Sequence, residues 1–223
     1  MKALAASLFA VGLIVVLSAA AEPAPEPKPL FDGETLSGWS HFLVDDTVKK
    51  EDVWSVQDGV LVCQGAPVGY LYTDKSYGDF HLSLEWRWAP GKDPGNSGVL
   101  LRIQGEARSF LPKCVEAQLQ NGNAGDIWAF YGASVEGDAD RAREVKDHKD
   151  LGDFHGVGKL EGAEKAPGEW NRYDITLKGG TLELRVNGTL VNTASGLDEA
   201  PGPIGLQSEG GEIHFRNIEI TEH

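Results

Sequence analysis

Between Asn96 and Trp128 the chain reads NSGVLLRIQGEARSFLPKCVEAQLQNGNAGDIW, where apolar alternation and reactive side chains coincide. Taken as a strand, Cys114–Gln120 sets Val115, Ala117 and Leu119 on one side. Glu116, Gln118 and Gln120 share the other, beside Cys114. The preceding strand candidate, Gly98–Gln104, puts Val99, Leu101 and Ile103 on one face and Arg102 on the other. A carboxylate, amides and a guanidinium gathered on one sheet face suit sugar hydroxyls and proton transfer. The same pattern also describes the solvated face of an antiparallel sheet. Asn96 and Gln207 are further amides for hydroxyl recognition; turn capping and cross-strand hydrogen bonding are their plain structural uses. Asp126, Trp128 and Tyr131 fall in a looser segment whose aromatics could stack on a sugar ring or pack in the core. His148 and His155 lie in a charged stretch and are the histidines available for acid–base work or substrate contact. Glu85 and Arg87 read first as a cross-strand charge pair, and Trp39, Trp54 and Trp170 as packing.

The elements that must position these groups are short. From Phe31 onward, β-branched and aromatic runs alternate with Gly, Asp and Asn. Strands are expected at Trp54–Val56, Val60–Cys63, Tyr70–Thr73, Phe80–Trp88, Val99–Gln104, Cys114–Gln120 and Trp128–Tyr131. Five more follow at Arg172–Lys178, Thr181–Val186, Thr189–Ala194, Gly205–Ser208 and Glu212–Thr221. Lys178-Gly-Gly180 and Val186-Asn-Gly-Thr189 are hairpin turns, because Gly and Asn accept positive φ. Asp138–Lys149 has no apolar face and is expected to be a charged loop. The spacing predicts an all-β fold, a two-sheet antiparallel β-sandwich of jelly-roll type.

Met1–Ala21 carries one lysine, an apolar run over Ala3–Leu17 and small residues, as a secretory signal peptide cleaved near Ala21 does. The run is short for a membrane span, so the expectation is an exported, periplasmic or extracellular protein. Residues 22–30 are expected to be a proline-rich spacer and residues 31–223 a single β-sandwich domain. A formal net charge of −14 repels phosphate and argues against nucleic acid or anionic membrane as partner. Cys63 and Cys114 either pair in an oxidising compartment or stay as two buried thiols. No phosphate-cradling loop, nucleophile elbow or zinc helix is present, and the six histidines are scattered.

Phe31-Asp-Gly-Glu-Thr-Leu-Ser-Gly-Trp39 resembles the opening motif of the 3-keto-disaccharide hydrolase family, which includes 3-keto-glucoside 1,2-lyase and 3-keto-2-hydroxy-glucal hydratase domains. Similar motifs follow in order at Trp54–Leu61, Leu71–Thr73, Tyr77–Phe80, Asn96–Val99 with Arg102, and Glu116–Leu119. The series continues through Gly168–Asn171, Val186–Gly188, Ile204–Gln207 and Phe215–Ile218. At Gln120-Asn121 the chain departs from the pattern, in which an aspartate often follows the Glu-x-Gln.

The resemblance implies a concanavalin-like sandwich acting on an oxidised sugar. A ketone at C3 acidifies the C2 hydrogen, a base removes it, and the enolate expels the C1 substituent. Water adding to the resulting glucal completes a net hydrolysis. This route needs a base, a stabiliser for the C3 oxyanion and an acid for the leaving group. On that reading Glu116 is base or acid and Arg102 holds the enolate oxygen, or else Arg102 merely pairs with Glu116. The cofactor expectation is calcium or another divalent ion, with no spacing that identifies its ligands. A non-catalytic carbohydrate-binding sandwich is the alternative.

Overall fold

The computed structural model describes residues 25–223, so the leader assigned to Met1–Ala21 lies outside the described residues. Strands β1 (Lys28–Pro29), β2 (Trp39–Leu43), β3 (Trp54–Gln57), β4 (Val60–Cys63) and β5 (Gly69–Thr73) open the chain. The longer β6 (Phe80–Trp88), β7 (Gly98–Gln104), β8 (Lys113–Gln118) and β9 (Ile127–Phe130) follow. A hairpin of β10 (Ala142–His148) and β11 (Gly152–Val157) comes next. The chain ends with β12 (Asn171–Lys178), β13 (Thr181–Val186), β14 (Thr189–Ala194), β15 (Gly205–Ser208) and β16 (Ile213–Glu222). One four-residue helix, α1, occupies Lys50–Val53.

These strands form two eight-stranded antiparallel sheets. The first runs β14-β13-β12-β6-β16-β4-β3, with β1 added alongside β16. The second runs β10-β11-β9-β8-β7-β15-β5-β2. The expected sandwich is therefore present, with its core between the sheets. Phe80, Leu82, Leu84, Trp86 and Trp88 of β6 face Val99 and Leu101 of β7 and Val115 and Ala117 of β8 in one cluster. Each fully buried Leu or Phe there contributes roughly 1.5–3 kcal/mol. A second cluster covers the outer face of the second sheet, with Leu100, Ile103, Cys114 and Phe130 at its centre.

Two expectations are corrected, and the alternative left open for the cysteines is decided. Lys28 and Pro29 pair with Ile220 and Glu219, and the Leu30 amide donates to the Ile218 carbonyl at 2.8 Å, so the spacer's last residues belong to the sheet. Asp138–Lys149 is not a loop: most of it is β10, paired with β11 through Glu144↔His155 and Val145↔Phe154. This hairpin satisfies its backbone by pairing and leaves its charges in water, so it needs no apolar stripe. Cys63 and Cys114 lie in different sheets, both buried and both free. Burial pushes the Cys63 thiol up to about 11 and raises Cys114 as well. A thiol reagent is expected to label neither cysteine in the native protein and both after unfolding without reductant. A single or absent label after unfolding would mean that they are oxidised.

Candidate functional site

The site forms on the outer face of the second sheet, where β8, β7 and β15 lie side by side. Glu116 is 2% exposed and opposes Leu100, while Gln118 opposes Gly98. A side chain on Gly98 would collide with Glu116, because an added Cβ falls 1.9 Å from Oε1. Glycine at 98 is thus what lets the carboxyl lie across β7. Beyond β15 the chain turns back, and Gly95 and Gly210 approach so closely that a Cβ on Gly95 would sit 1.7 Å from the Gly210 carbonyl. That contact brings Asn96 opposite Glu209 in an isolated bridge.

Glu209 is the residue that sequence reasoning missed. Its Oε2 accepts from Asn96 Nδ2 at 2.8 Å and from Gln207 Nε2 at 2.6 Å. The signal for it was present, since Gln207 and Glu209 are two apart and share a face. Both amide nitrogens bond to Glu209, which leaves Asn96 Oδ1 and Gln207 Oε1 buried without partners among the described residues. Glu116 Oε1 is also buried and unpartnered. Gln118 is turned the other way: its Oε1 accepts from the Leu119 and Gln120 amides at 2.9 and 2.8 Å, leaving the NH₂ as its free end.

These groups surround a cavity of about 200 Å³, lined also by Gln120 at the rim, half-buried Trp128, and Phe130. The hairpin closes its far side with Val145, His148, Leu151 and Phe154. Trp128 meets Phe154 edge-on, with ring centroids 5.3 Å apart. His148 Nδ1 accepts from the Asp150 and Leu151 amides at 3.3 and 3.2 Å. The proton of the neutral ring therefore sits on Nε2, as a donor.

The two carboxyls have unequal surroundings. Burial, and then repulsion from Glu209, hold the Glu116 pKa well above the usual carboxylate value. Burial also raises Glu209, but the amides of Asn96 and Gln207 oppose the rise by stabilising its charge.

Of the residues singled out from sequence, Asn96, Glu116, Gln118, Gln120, Trp128, His148 and Gln207 meet in this cavity. Four do not. Arg102 has φ 50°, and the β7–β8 register slips between Leu101 and Gln104. This irregularity reverses the alternation, so Ile103 joins Leu100 on the cleft face and Arg102 turns away. The Arg102 guanidinium donates instead to Asp79 Oδ1 at 3.1 Å, to the Gly78 carbonyl at 3.4 Å and to the Asp198 carbonyl. Asp126 accepts from the Lys159 amide at 2.7 Å and ties two loops together. Tyr131 donates to the Asp150 carbonyl at 3.4 Å and lies under Arg108, 5.4 Å from its ring centre. His155 points away from Phe154, into a separate surface recess with Arg143 and Glu144. Among the described residues no group of three or more His, Cys, Asp or Glu is arranged to hold a metal ion, so calcium gains no ligand set of that kind. No helix of the described residues is long and apolar enough to cross a membrane.

Two facing antiparallel sheets with a polar cleft on one outer face define a concanavalin-like β-sandwich. Its solved neighbours share that fold. They include a Parabacteroides distasonis protein assigned provisionally to the glycosyl hydrolases (TM-score 0.63, 24% identity, 89% of this chain and 100% of the other). The carbohydrate-binding module CBM66 of Bacillus subtilis is a more distant one (TM-score 0.59, 12% identity, 83% and 96%). Residues 26–221 match the 3-keto-alpha-glucoside-1,2-lyase-like domain family, and the chain belongs to it. A curated relative, the 3-keto-disaccharide hydrolase of Bacteroides thetaiotaomicron, is 23% identical over 86% of this chain and 76% of its own length.

Proposed function

We propose that this protein is an exported enzyme that cleaves 3-keto-glycosides, disaccharides among them, by elimination across C1–C2 followed by hydration. The observation that carries the reading is the carboxyl pair Glu116 and Glu209, placed in one cavity with environments that separate their protonation. Glu116, buried and facing the Glu209 charge, is the proton donor, and Glu209, whose charge two amides stabilise, is the base. Glu209 takes the C2 proton, and the C–H electron pair passes into the enolate. As the C3 carbonyl re-forms, the electrons make the C1–C2 double bond and expel O1, to which Glu116 gives its proton. Water adding at C1, with a proton returning to C2, yields the free 3-keto sugar. With Arg102 directed elsewhere, His148 Nε2–H and the Gln118 amide are among the donors that line the cavity for the C3 oxyanion.

The reading is tested by incubating purified protein with a 3-keto-disaccharide and following release of 3-keto-glucose. Sugar binding without release would make the protein a binding module instead. The pH profile supplies a second check. Raising the pH through the elevated Glu116 pKa removes the acid, so kcat/KM is expected to fall on the alkaline side. Protonating Glu209 removes the base, so it falls again on the acid side. A profile with neither limb would exclude this pair as the proton-transfer groups.

A further inference from the structure

The outer face of the second sheet does not end at the carboxyl pair. On the side away from the β10–β11 hairpin lies a wider recess of about 460 Å³, walled by Phe42 of β2, Tyr70 and Tyr72 of β5, Ile103 and Pro203, with Glu106 at its rim. Its rings form a continuous wall. Phe42 and Tyr70 stack with centroids 5.5 Å apart and planes at 30°, and Tyr70 meets Tyr72 at 5.6 Å. Tyr70 is 3% exposed and fixed, whereas Phe42 and Tyr72 keep part of their faces open.

Register places the recess directly beside the cleft. Tyr70 is the cross-strand partner of Gln207, whose amide holds Glu209. Tyr72 opposes Gly205, Gly205 opposes Leu100, and Leu100 opposes Glu116. Three strand spacings, about 14 Å, therefore separate Tyr72 from Glu116. Gly205 raises no side chain of its own, and Leu100 and Ile103 pack over it, 3.2 and 3.1 Å from where a Cβ would sit, as the apolar floor between the two. A pyranose ring offers C–H faces that lie on aromatic rings and hydroxyls that reach a carboxylate, and the recess supplies both kinds of partner. The acidic rim and the chain's net charge of −14 disfavour an anionic occupant.

We propose that this recess is the leaving-group subsite, and that it takes the departing pyranose ring of a 3-keto-disaccharide while the smaller cavity holds the keto sugar. The assignment rests on the function proposed above. It makes the enzyme one that prefers a sugar to a small alcohol as leaving group.

The test compares two 3-keto-glucosides with the same glycone, one releasing methanol and the other glucose. Wild-type protein is expected to favour the disaccharide in kcat/KM. Tyr72→Ala, and separately Phe42→Ala, are expected to lower that preference by at least about tenfold. The ratio between substrates is read within one preparation, so partial misfolding cancels; Tyr72→Phe, which keeps the ring, should retain the preference. A ratio unchanged in both alanine variants, or no preference in the wild type, overturns the subsite. Failure of the wild type on both compounds overturns instead the reading on which it rests.

Discussion

Glu116→Gln is expected to abolish turnover of a 3-keto-disaccharide, lowering kcat by about 10²- to 10⁴-fold while leaving sugar binding in place. The amide keeps the shape that lies across Gly98 and the capacity to hydrogen-bond, but it has no proton to give a leaving oxygen. The same variant carries a stability signature. A carboxyl whose folded pKa is raised favours the folded state while it is protonated, below its unfolded value of 4.5, and that contribution drains away as pH rises through the folded pKa. Glu116→Gln removes the titration, so its melting temperature should fall less than that of the wild type between acid and neutral pH. Unchanged turnover would take Glu116 out of the mechanism; a melting curve that tracks wild type at every pH would show that its pKa is not raised.

Arg102→Met should act in the opposite manner, on the fold and not on the chemistry. The guanidinium is 4% exposed, and its hydrogen bonds tie β7 to Gly78–Asp79 and to the Asp198 segment. Removing it leaves two carbonyls without their donor and takes from Asp79 its charged partner, though the Gly179 amide still donates to that carboxylate at 2.9 Å. A loss of about 3 kcal/mol in urea unfolding is expected, drawn from buried charged hydrogen bonds. Protein that remains folded should turn over normally. A variant of native stability with slow turnover would return Arg102 to the reacting centre.

The contrast between these residues shows what alternation can and cannot reveal. In β8 the period of two runs unbroken, so Glu116 and Gln118 could be assigned to a face from sequence, as could Phe80–Trp88 in β6. In β7 one residue with positive φ reverses the parity, and nothing about an arginine in a strand announces such a conformation. Glu209 follows the last residue of β15, where reading the strand stops. The β10–β11 hairpin escaped for another reason. Pattern detects strands by the apolar face they bury, and residues 142–148 are almost wholly solvated. Yet that hairpin carries His148 and Phe154 into the cleft. The middle of the second sheet was legible because the core imposes its period there, and the cleft's outer wall was not.

That outer wall is also the sheet's open margin. Among the described residues β10 is the last strand of its sheet, so one row of its amides and carbonyls has no neighbouring strand there to bond. Such a row is a template onto which any extended chain can zip. Arg143, Glu144 and Lys146 stand along it, with Lys146 bridged to Glu144 at 2.6 Å and to Asp153 at 3.3 Å. A guest strand would have to strip water from this lattice of charge before pairing. The salt-laced rim that hid the hairpin from pattern recognition thereby acts as a guard against aggregation, and the mouth of the cleft keeps its shape behind it.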